Sequence, residues 1–296
     1  MAEYLKYENL FGRYAISVNE GKIDGLPVLI DDKVSTTSKN DYFSIYAYGN
    51  YFKVVYHKVG KLAFPERKKY ISTTTETKSE EERFRSSLSR SKSAVFEIAC
   101  CNEFTYFCTF TQDQKMRDRF DLSAFRKDFT MLIRNLNRSR SEENKIKYLL
   151  IPEKHKKGGW HMHGLFMGLE DSDLRPFSLS ENIPLRIKNQ IRDGETVYDW
   201  TKYRQKFGYF TCTKIKDNIA VSKYITKYLT KEFSASVRNS GQHLYFASQG
   251  LKRRETLVVN SFDKCPFTEF DFENDFIKIK TFTVDDLEVE KLSLLF

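Results

Sequence analysis

Long hydrophobic runs and paired cysteines are missing from this sequence. No stretch of the 296 residues approaches the roughly 18 consecutive apolar side chains that a membrane helix needs. The first residues, MAEYLKYENLFGRY, lack the apolar segment of a secretory signal. The five cysteines are an odd number without a Cys-x-x-Cys pair, which argues against a disulfide framework and a zinc finger. These absences predict a protein without a membrane span in a reducing cytoplasm.

A phosphate-binding loop is missing as well. The sequence contains no Gly-x-x-x-x-Gly-Lys-Ser/Thr motif, so no built-in helicase is expected. It also contains no internal repeat.

Positive charge and aromatic side chains are plentiful. The net charge is +9, and because residues 261–296 carry nine acidic and four basic side chains, residues 1–260 carry +14. The chain also has 17 tyrosines and 25 phenylalanines, which can stack on bases. This combination indicates a polyanionic partner, for which nucleic acid is the natural candidate. A basic protein without such a partner is the alternative.

Hydrophobic periodicity predicts an α+β fold. Residues 104–111, 147–153, 160–166 and 207–213 are rich in aromatic and β-branched side chains, as is typical of strands. Helical spacing follows the cap signal at Asp121, and again a cap at Asp217 or Asn218. We therefore expect a central antiparallel sheet of about five strands, flanked by helices.

Further strands are expected on either side of this region. Residues 42–48 and 51–56 form a hairpin pattern around Gly49-Asn50. Residues 71–93 have the composition of an exposed linker that runs into a charged helix, predicted from about residue 80 to 101. Residues 243–246 and 256–259 are expected to pair as closing strands, and the acidic segment from residue 261 to be peripheral.

The segment Gly158-Gly159-Trp160-His161-Met162-His163 carries the clearest chemical signal. Residues two apart in a strand point to the same face, so the imidazoles of His161 and His163 project together. If residues 147–153 form a hairpin with this strand, Glu153 lies across from position 161. Two imidazoles and a carboxylate are half of a metal site with open positions for water or phosphate oxygen. Two half-buried histidines satisfied by hydrogen bonds are the structural alternative.

A second motif lies in the helix after residue 218. Tyr224 and Tyr228 are four residues apart and share one face, with Lys227 and Lys231 each three residues after a tyrosine. A basic amphipathic helix whose tyrosines pack on the sheet would show the same pattern. Beside a metal site, however, a phenol can attack a phosphodiester and form a phosphotyrosine link.

Three stretches, the strand at 107–111, Glu153 with His161-Met162-His163, and the tyrosine helix, resemble in this order the motifs of the HUH (His-hydrophobic-His) endonucleases. The resemblance is greatest to rolling-circle replication initiators of plasmids, small phages and integrated elements. The two-tyrosine form is similar to the replication A proteins of small single-stranded-DNA phages. The resemblance covers about residues 95–260. It implies three parts: a strand-rich, basic extension with a linker helix at 1–94, an endonuclease domain with an RNA-recognition-motif-like sheet at 95–260, and an acidic tail at 261–296.

By position, the resemblance implies that His161, His163 and Glu153 bind a divalent ion, magnesium or manganese, with His155 as an alternative to Glu153. Tyr224 would be the first nucleophile and Tyr228 the second, although Tyr228 could also be the principal one. The side chains of Lys227 and Lys231 would hold the phosphate.

The implied function is nicking of one DNA strand at an origin, with a 5′-phosphotyrosine intermediate, later rejoining, and unwinding by a host helicase. A transposase or relaxase would share this chemistry. A DNA-binding regulator with a structural metal, or a metal-dependent phosphodiesterase that activates water, would not use the tyrosines. Oligomeric state is left open.

Overall fold

The structure is a computed structural model that describes residues 17–19, 22–24, 42–57, 80–155, 158–233, 243–261, 269–273 and 277–283. Contacts between Cα atoms divide the chain into two units, residues 1–76 with 253–296, and residues 77–252. The unit that contains all the predicted site residues therefore begins and ends earlier than the predicted endonuclease domain, 95–260. Because compactness alone does not define a functional domain, the predicted boundaries stay a prediction.

The first unit contains a five-stranded antiparallel sheet in the order β12-β3-β4-β14-β13 and a separate pair, β1-β2. The strands are β1 (Ser17–Asn19), β2 (Lys22–Asp24), β3 (Tyr42–Tyr48), β4 (Tyr51–His57), β12 (Glu255–Ser261), β13 (Phe272–Glu273) and β14 (Ile277–Thr283). Tyr48 pairs with Tyr51 around Gly49, whose φ is 65°, so the predicted hairpin is confirmed.

Two expectations for this region are wrong. The segment 256–259 does not pair with 243–246, because β12 pairs with β3 instead. The acidic segment is not peripheral at residues 277–283, which pair with β4 along the whole strand. Both segments have strand-like patterns, but their partners lie some 200 residues away in sequence, where local periodicity carries no information. Residues 71–79 and most of 261–296 lie outside the described residues.

The second unit is built on a seven-stranded antiparallel sheet in the order β11-β6-β7-β5-β10-β9-β8. Its strands are β5 (Tyr106–Gln112), β6 (Lys147–Lys154), β7 (Trp160–Met167), β8 (Arg175–Pro176), β9 (Tyr198–Asp199), β10 (Gly208–Lys214) and β11 (Phe246–Ala247). Three of these are only two residues long and extend a core of four long strands. The predicted α+β class with an antiparallel sheet is confirmed.

Five helices of the described residues belong to this unit: α1 (Glu80–Cys101), α2 (Leu122–Asn137), α3 (Leu185–Arg192), α4 (Thr201–Phe207) and α5 (Asn218–Phe233). Short 3-10 turns lie at Glu142–Asn144 and Asp171–Asp173. The two predicted caps are present, since Asp121 accepts a hydrogen bond from the Ala124 amide and Asp217 accepts from the amides of Ile219 and Ala220. Within the part of the chain that the structure describes, no helix is both long and apolar enough to cross a membrane.

Alternation along the strands separates a core face from a second face. On β5, Tyr106, Cys108 and Phe110 are buried, whereas the side chains between them are partly exposed. The Phe110 ring lies 5.0–5.2 Å from four other aromatic rings, contributed by α2, α4, β7 and β10. Such aromatic packing adds to the hydrophobic burial that holds α2 and α4 on the core face. The opposite face is left for α5 and for the site.

A buried ion pair supports this unit at the end of β7. The Asp173 carboxylate, 3% exposed, accepts hydrogen bonds from Arg140 and Lys202. Burial alone would raise the pKa of Asp173, but the bonds from Lys202, the Glu170 amide and Arg140 hold this pKa below its ordinary value.

Replacing Asp173 by asparagine should lower the free energy of unfolding of this unit by about 2 kcal/mol at pH 7. Because the folded pKa is lowered, the carboxylate's contribution is fully present above the unfolded value of about 3.9 and is lost as pH falls through the folded one. The difference from wild type should therefore shrink below about pH 4. Both tryptophans, Trp160 and Trp200, lie in this unit, so urea unfolding followed by tryptophan fluorescence measures it.

The control is Asp128→Asn, which breaks the more exposed ion pair with Arg117. Such pairs contribute about 0–1 kcal/mol. Equal destabilisation by the two variants, or a difference for Asp173→Asn that does not depend on pH, would contradict the assignment.

Candidate active site

The pairing of three strands brings the predicted metal ligands together. In the β6–β7 hairpin Glu153 lies directly opposite His161, as the sequence predicted. On the other side of β7, β5 places Thr111 opposite His161 and Thr109 opposite His163. Directly opposed residues point to the same face, so all five side chains lie on the face away from the aromatic core.

Hydrogen bonds orient both imidazoles from behind. The Thr109 hydroxyl lies 3.2 Å from Nδ1 of His163, and the Thr111 hydroxyl lies 2.8 Å from Nδ1 of His161. The Glu153 carboxylate bonds Nε2 of His163, its diagonal neighbour. With both Nδ1 atoms engaged by threonines, the Nε2 atoms are the ones that face outward. This arrangement is typical of metal-binding histidines, whose second ring nitrogen is held by a neighbouring group.

The charge state of His161 suits a ligand. Burial lowers the pKa of His161, and the neighbouring His155 and His163 lower it further, against the opposite effect of Glu153. A neutral imidazole is the form that binds metal ions. The His155 ring centre lies 5.3 Å from that of His161, so the alternative ligand is also nearby.

The α5 helix places the tyrosine pair over the histidines. The Tyr228 ring stacks on the His163 ring at 4.1 Å between centres and 21° between planes. The Tyr224 and Tyr228 hydroxyls are hydrogen-bonded at 2.8 Å. Tyr224 is 44% exposed, whereas Tyr228 is half-buried. The two predicted motifs therefore meet in one site, with Tyr224 on its open side.

The environment of Tyr228 keeps its phenol protonated. Burial raises the pKa of Tyr228, and the hydrogen bond with Tyr224 and the charge of Glu153 act in the same direction. The nearby Arg186 of α3 opposes this shift. Phe107 of β5 packs against both tyrosines, with ring centres 5.6 Å from Tyr224 and 6.2 Å from Tyr228.

The lysines are placed less completely. Lys227 is exposed and borders the same cavity as Tyr224. Lys231 belongs to α5, but its side chain lies outside the described residues. Lys223, which the sequence pattern left without a role, is exposed and borders that cavity too. Thr109 and Thr111 were also missed, although their two-residue spacing on a predicted strand matches that of the histidines.

The donor types fit a divalent ion, since imidazole and carboxylate ligands suit manganese and magnesium sites. Within the described ranges, however, no group of three or more His, Cys, Asp or Glu side chains is placed to hold an ion as it stands. Glu153 bonds His163 directly, and His161 lies beside this pair. The metal role of the three residues therefore stays a prediction. The described cysteines, Cys100, Cys101, Cys108 and Cys212, are free thiols away from the site.

The threonine behind His161 offers a test of the predicted metal site. Thr111→Val removes the hydroxyl that orients the imidazole but keeps the side-chain volume. We expect Mn²⁺ affinity to fall roughly 10- to 100-fold, as for other groups that orient a ligand. Thr211→Val, on β10 and not opposite a histidine, is the matched control. Mn²⁺ binding followed by electron paramagnetic resonance measures both, and equal affinities would contradict an orienting role of Thr111.

Comparison with known proteins bears on the segment that carries this site. Residues 105–233 match the family model of the replication-associated protein ORF2. The matched segment runs through α5 and includes Glu153, both histidines and both tyrosines. No curated protein and no solved structure matches the chain. The family match supports a replication-initiator family and a role in DNA replication.

Proposed function

We propose that this protein nicks one strand of DNA at a replication origin by tyrosine attack, forms a 5′-phosphotyrosine intermediate and later rejoins strands. The observation that carries the proposal is the stacking of Tyr228 on His163 at 4.1 Å, with Tyr224 hydrogen-bonded to Tyr228. Phosphate-attacking phenols and the candidate ligands thus share one site. The family match supports the replication role, and the +14 charge of residues 1–260 suits a DNA partner.

Tyr224 is assigned as the first nucleophile because it is the more exposed tyrosine. Its phenol oxygen forms a bond to phosphorus while the bond from phosphorus to the 3′-oxygen breaks. The phenol proton leaves and the 3′-oxygen gains a proton, so the products are a 5′-phosphotyrosine and a free 3′-hydroxyl that can prime synthesis. The exposed Lys227 and Lys223 ammonium groups lie on the same side as Tyr224 and attract the phosphate.

Glu153, His161 and His163 are assigned to a divalent ion, Mg²⁺ or Mn²⁺. When bound, such an ion supplies Lewis-acid polarisation of the scissile phosphate. Thr109 and Thr111 hold the imidazoles in position on the rigid sheet. Tyr228 is assigned to the second transfer, in which a 3′-hydroxyl or this second phenol attacks and releases the rejoined strand. Strand separation is assigned to a host helicase.

The test is a gel assay for covalent adducts on random single-stranded DNA labelled at either end, with Mn²⁺ or with a chelator. We expect a metal-dependent protein–DNA band that retains only the 3′ label, because the protein joins the 5′ end of the downstream fragment. Free 5′-phosphate ends without an adduct would instead indicate a hydrolase that activates water. Binding without cleavage on any DNA would indicate a regulator.

A further inference from the structure

A cavity of about 840 Å³ opens beside Tyr224, on the side of that residue away from the histidines' strand β7. It lies between the first turns of α5, the end of β10 and the segment that precedes β9. This volume is within the range of about 300–1,000 Å³ that is usual for small-ligand sites. None of the predicted metal ligands borders it, and the sequence motifs assign no role to most of its walls.

The walls of the cavity present flat and apolar groups. The aromatic walls are Phe107, Tyr198 and Tyr224, and Ile215 and Val221 add aliphatic surface. The rings are held by neighbours: Tyr198 packs edge-on to the buried Tyr106 at 6.0 Å, and Phe107 packs edge-on to Tyr224 at 5.6 Å. A planar heterocycle could therefore bind to surfaces that are already in place, at little cost in side-chain ordering.

The rim of the cavity is basic. Lys216, Lys223 and Lys227 are exposed there. The two acidic groups of the lining are already engaged, since Asp217 caps α5 and Glu195 accepts a hydrogen bond from Gln190. A ligand that places a flat ring inside and a negative charge at the rim is complementary to this site. A nucleotide has both features.

We propose that this cavity binds one unstacked base of the DNA strand, next to the phosphate that Tyr224 attacks. The proposal rests on the proposed nicking function and deepens it, because a base held beside the nucleophile would position the cut. The hydroxyls of Thr196 and Thr213 line the cavity and have no hydrogen-bond partner among the described residues, so they can read the base edge. These side chains would then contribute to the choice of cleavage site.

Photocrosslinking tests the cavity without relying on cleavage. Single-stranded oligonucleotides of random sequence that contain 5-iodouracil are bound to Tyr224→Phe protein, irradiated, and the crosslinked peptides are identified by mass spectrometry. Because iodouracil couples to aromatic side chains in contact with it, we expect crosslinks at Tyr198, Phe107 or position 224. Crosslinks confined to other parts of the chain would overturn the proposal.

A blocking variant provides a second readout. Ala220 borders the cavity, is exposed and lies in the first turn of α5, so Ala220→Phe fills the space from the rim. Ser123→Phe, in the first turn of α2 and outside the cavity, is the matched control. We expect Ala220→Phe to weaken single-stranded DNA binding at least about tenfold relative to the control, with unchanged circular dichroism. Where wild type cuts, sequence preference at one position next to the cut should also weaken.

The outcomes separate this proposal from the proposed function. Adducts in wild type, with crosslinks elsewhere and equal DNA binding by both phenylalanine variants, would overturn the cavity and leave the nickase. Crosslinks in the cavity without any adduct would leave a base-binding site and overturn the nickase. If Ala220→Phe fails to fold, the crosslink map decides the matter alone.

Discussion

Tyr224→Phe is expected to lower the rate of covalent adduct formation by about 10³-fold or more. Loss of a nucleophile has effects of at least this size in enzymes that form covalent intermediates. The substitution removes only the phenol oxygen, and the ring that packs on Phe107 is kept. The lower rate is therefore not explained by a collapsed site. Adduct formation on labelled single-stranded DNA, in Mn²⁺ and under single-turnover conditions, measures the effect.

Two further variants make this result specific. Tyr209→Phe alters a tyrosine of β10 that is 58% exposed and lies outside the tyrosine pair, and it should form adducts at the wild-type rate. Tyr228→Phe should still form the first adduct but should release fewer rejoined circles. If instead Tyr228→Phe abolishes the adduct and Tyr224→Phe keeps it, the roles of the two tyrosines are reversed. An adduct that persists in the double variant would rule out the tyrosine mechanism.

His161→Ala is expected to have the second largest effect, a loss of at least about 10²-fold in adduct formation together with a large loss of Mn²⁺ affinity. A ligand contributes more than the group that orients it, so this loss should exceed that of Thr111→Val. His161 is preferred to His163 for this test because His163 also stacks on Tyr228 and bonds Glu153. Removal of the His163 ring would therefore disturb the tyrosine pair as well.

Controls and a direct binding readout accompany this variant. His243→Ala changes an exposed histidine outside the site and should bind Mn²⁺ as wild type does. Glu153→Gln and His155→Ala compare the two candidates for the third ligand, of which we expect only Glu153→Gln to weaken binding. Unchanged Mn²⁺ affinity in His161→Ala, measured by electron paramagnetic resonance, would show that this imidazole is not a ligand. Adduct formation in excess chelator would exclude a metal requirement altogether.

Much of the fold class and of the site could be predicted from local patterns. The strand period of two places both histidines on one face, and the helix period places both tyrosines on one face. Because a hairpin is a short-range structure, its register also follows from the sequence, and Glu153 does lie opposite His161. Each of these relations spans about ten residues or fewer.

Relations between distant segments were decided only by the tertiary structure. The pairing of β12 with β3 and of β14 with β4 joins segments far apart in the chain, and the sequence patterns of these strands do not specify a partner. The same holds for Thr111 behind His161 and for Tyr228 on His163, since strand order and the packing of α5 set both contacts. Local sequence determines which way a side chain points along its own element. What it faces depends on which elements pack together, and that is settled by burial and strand pairing over the whole chain.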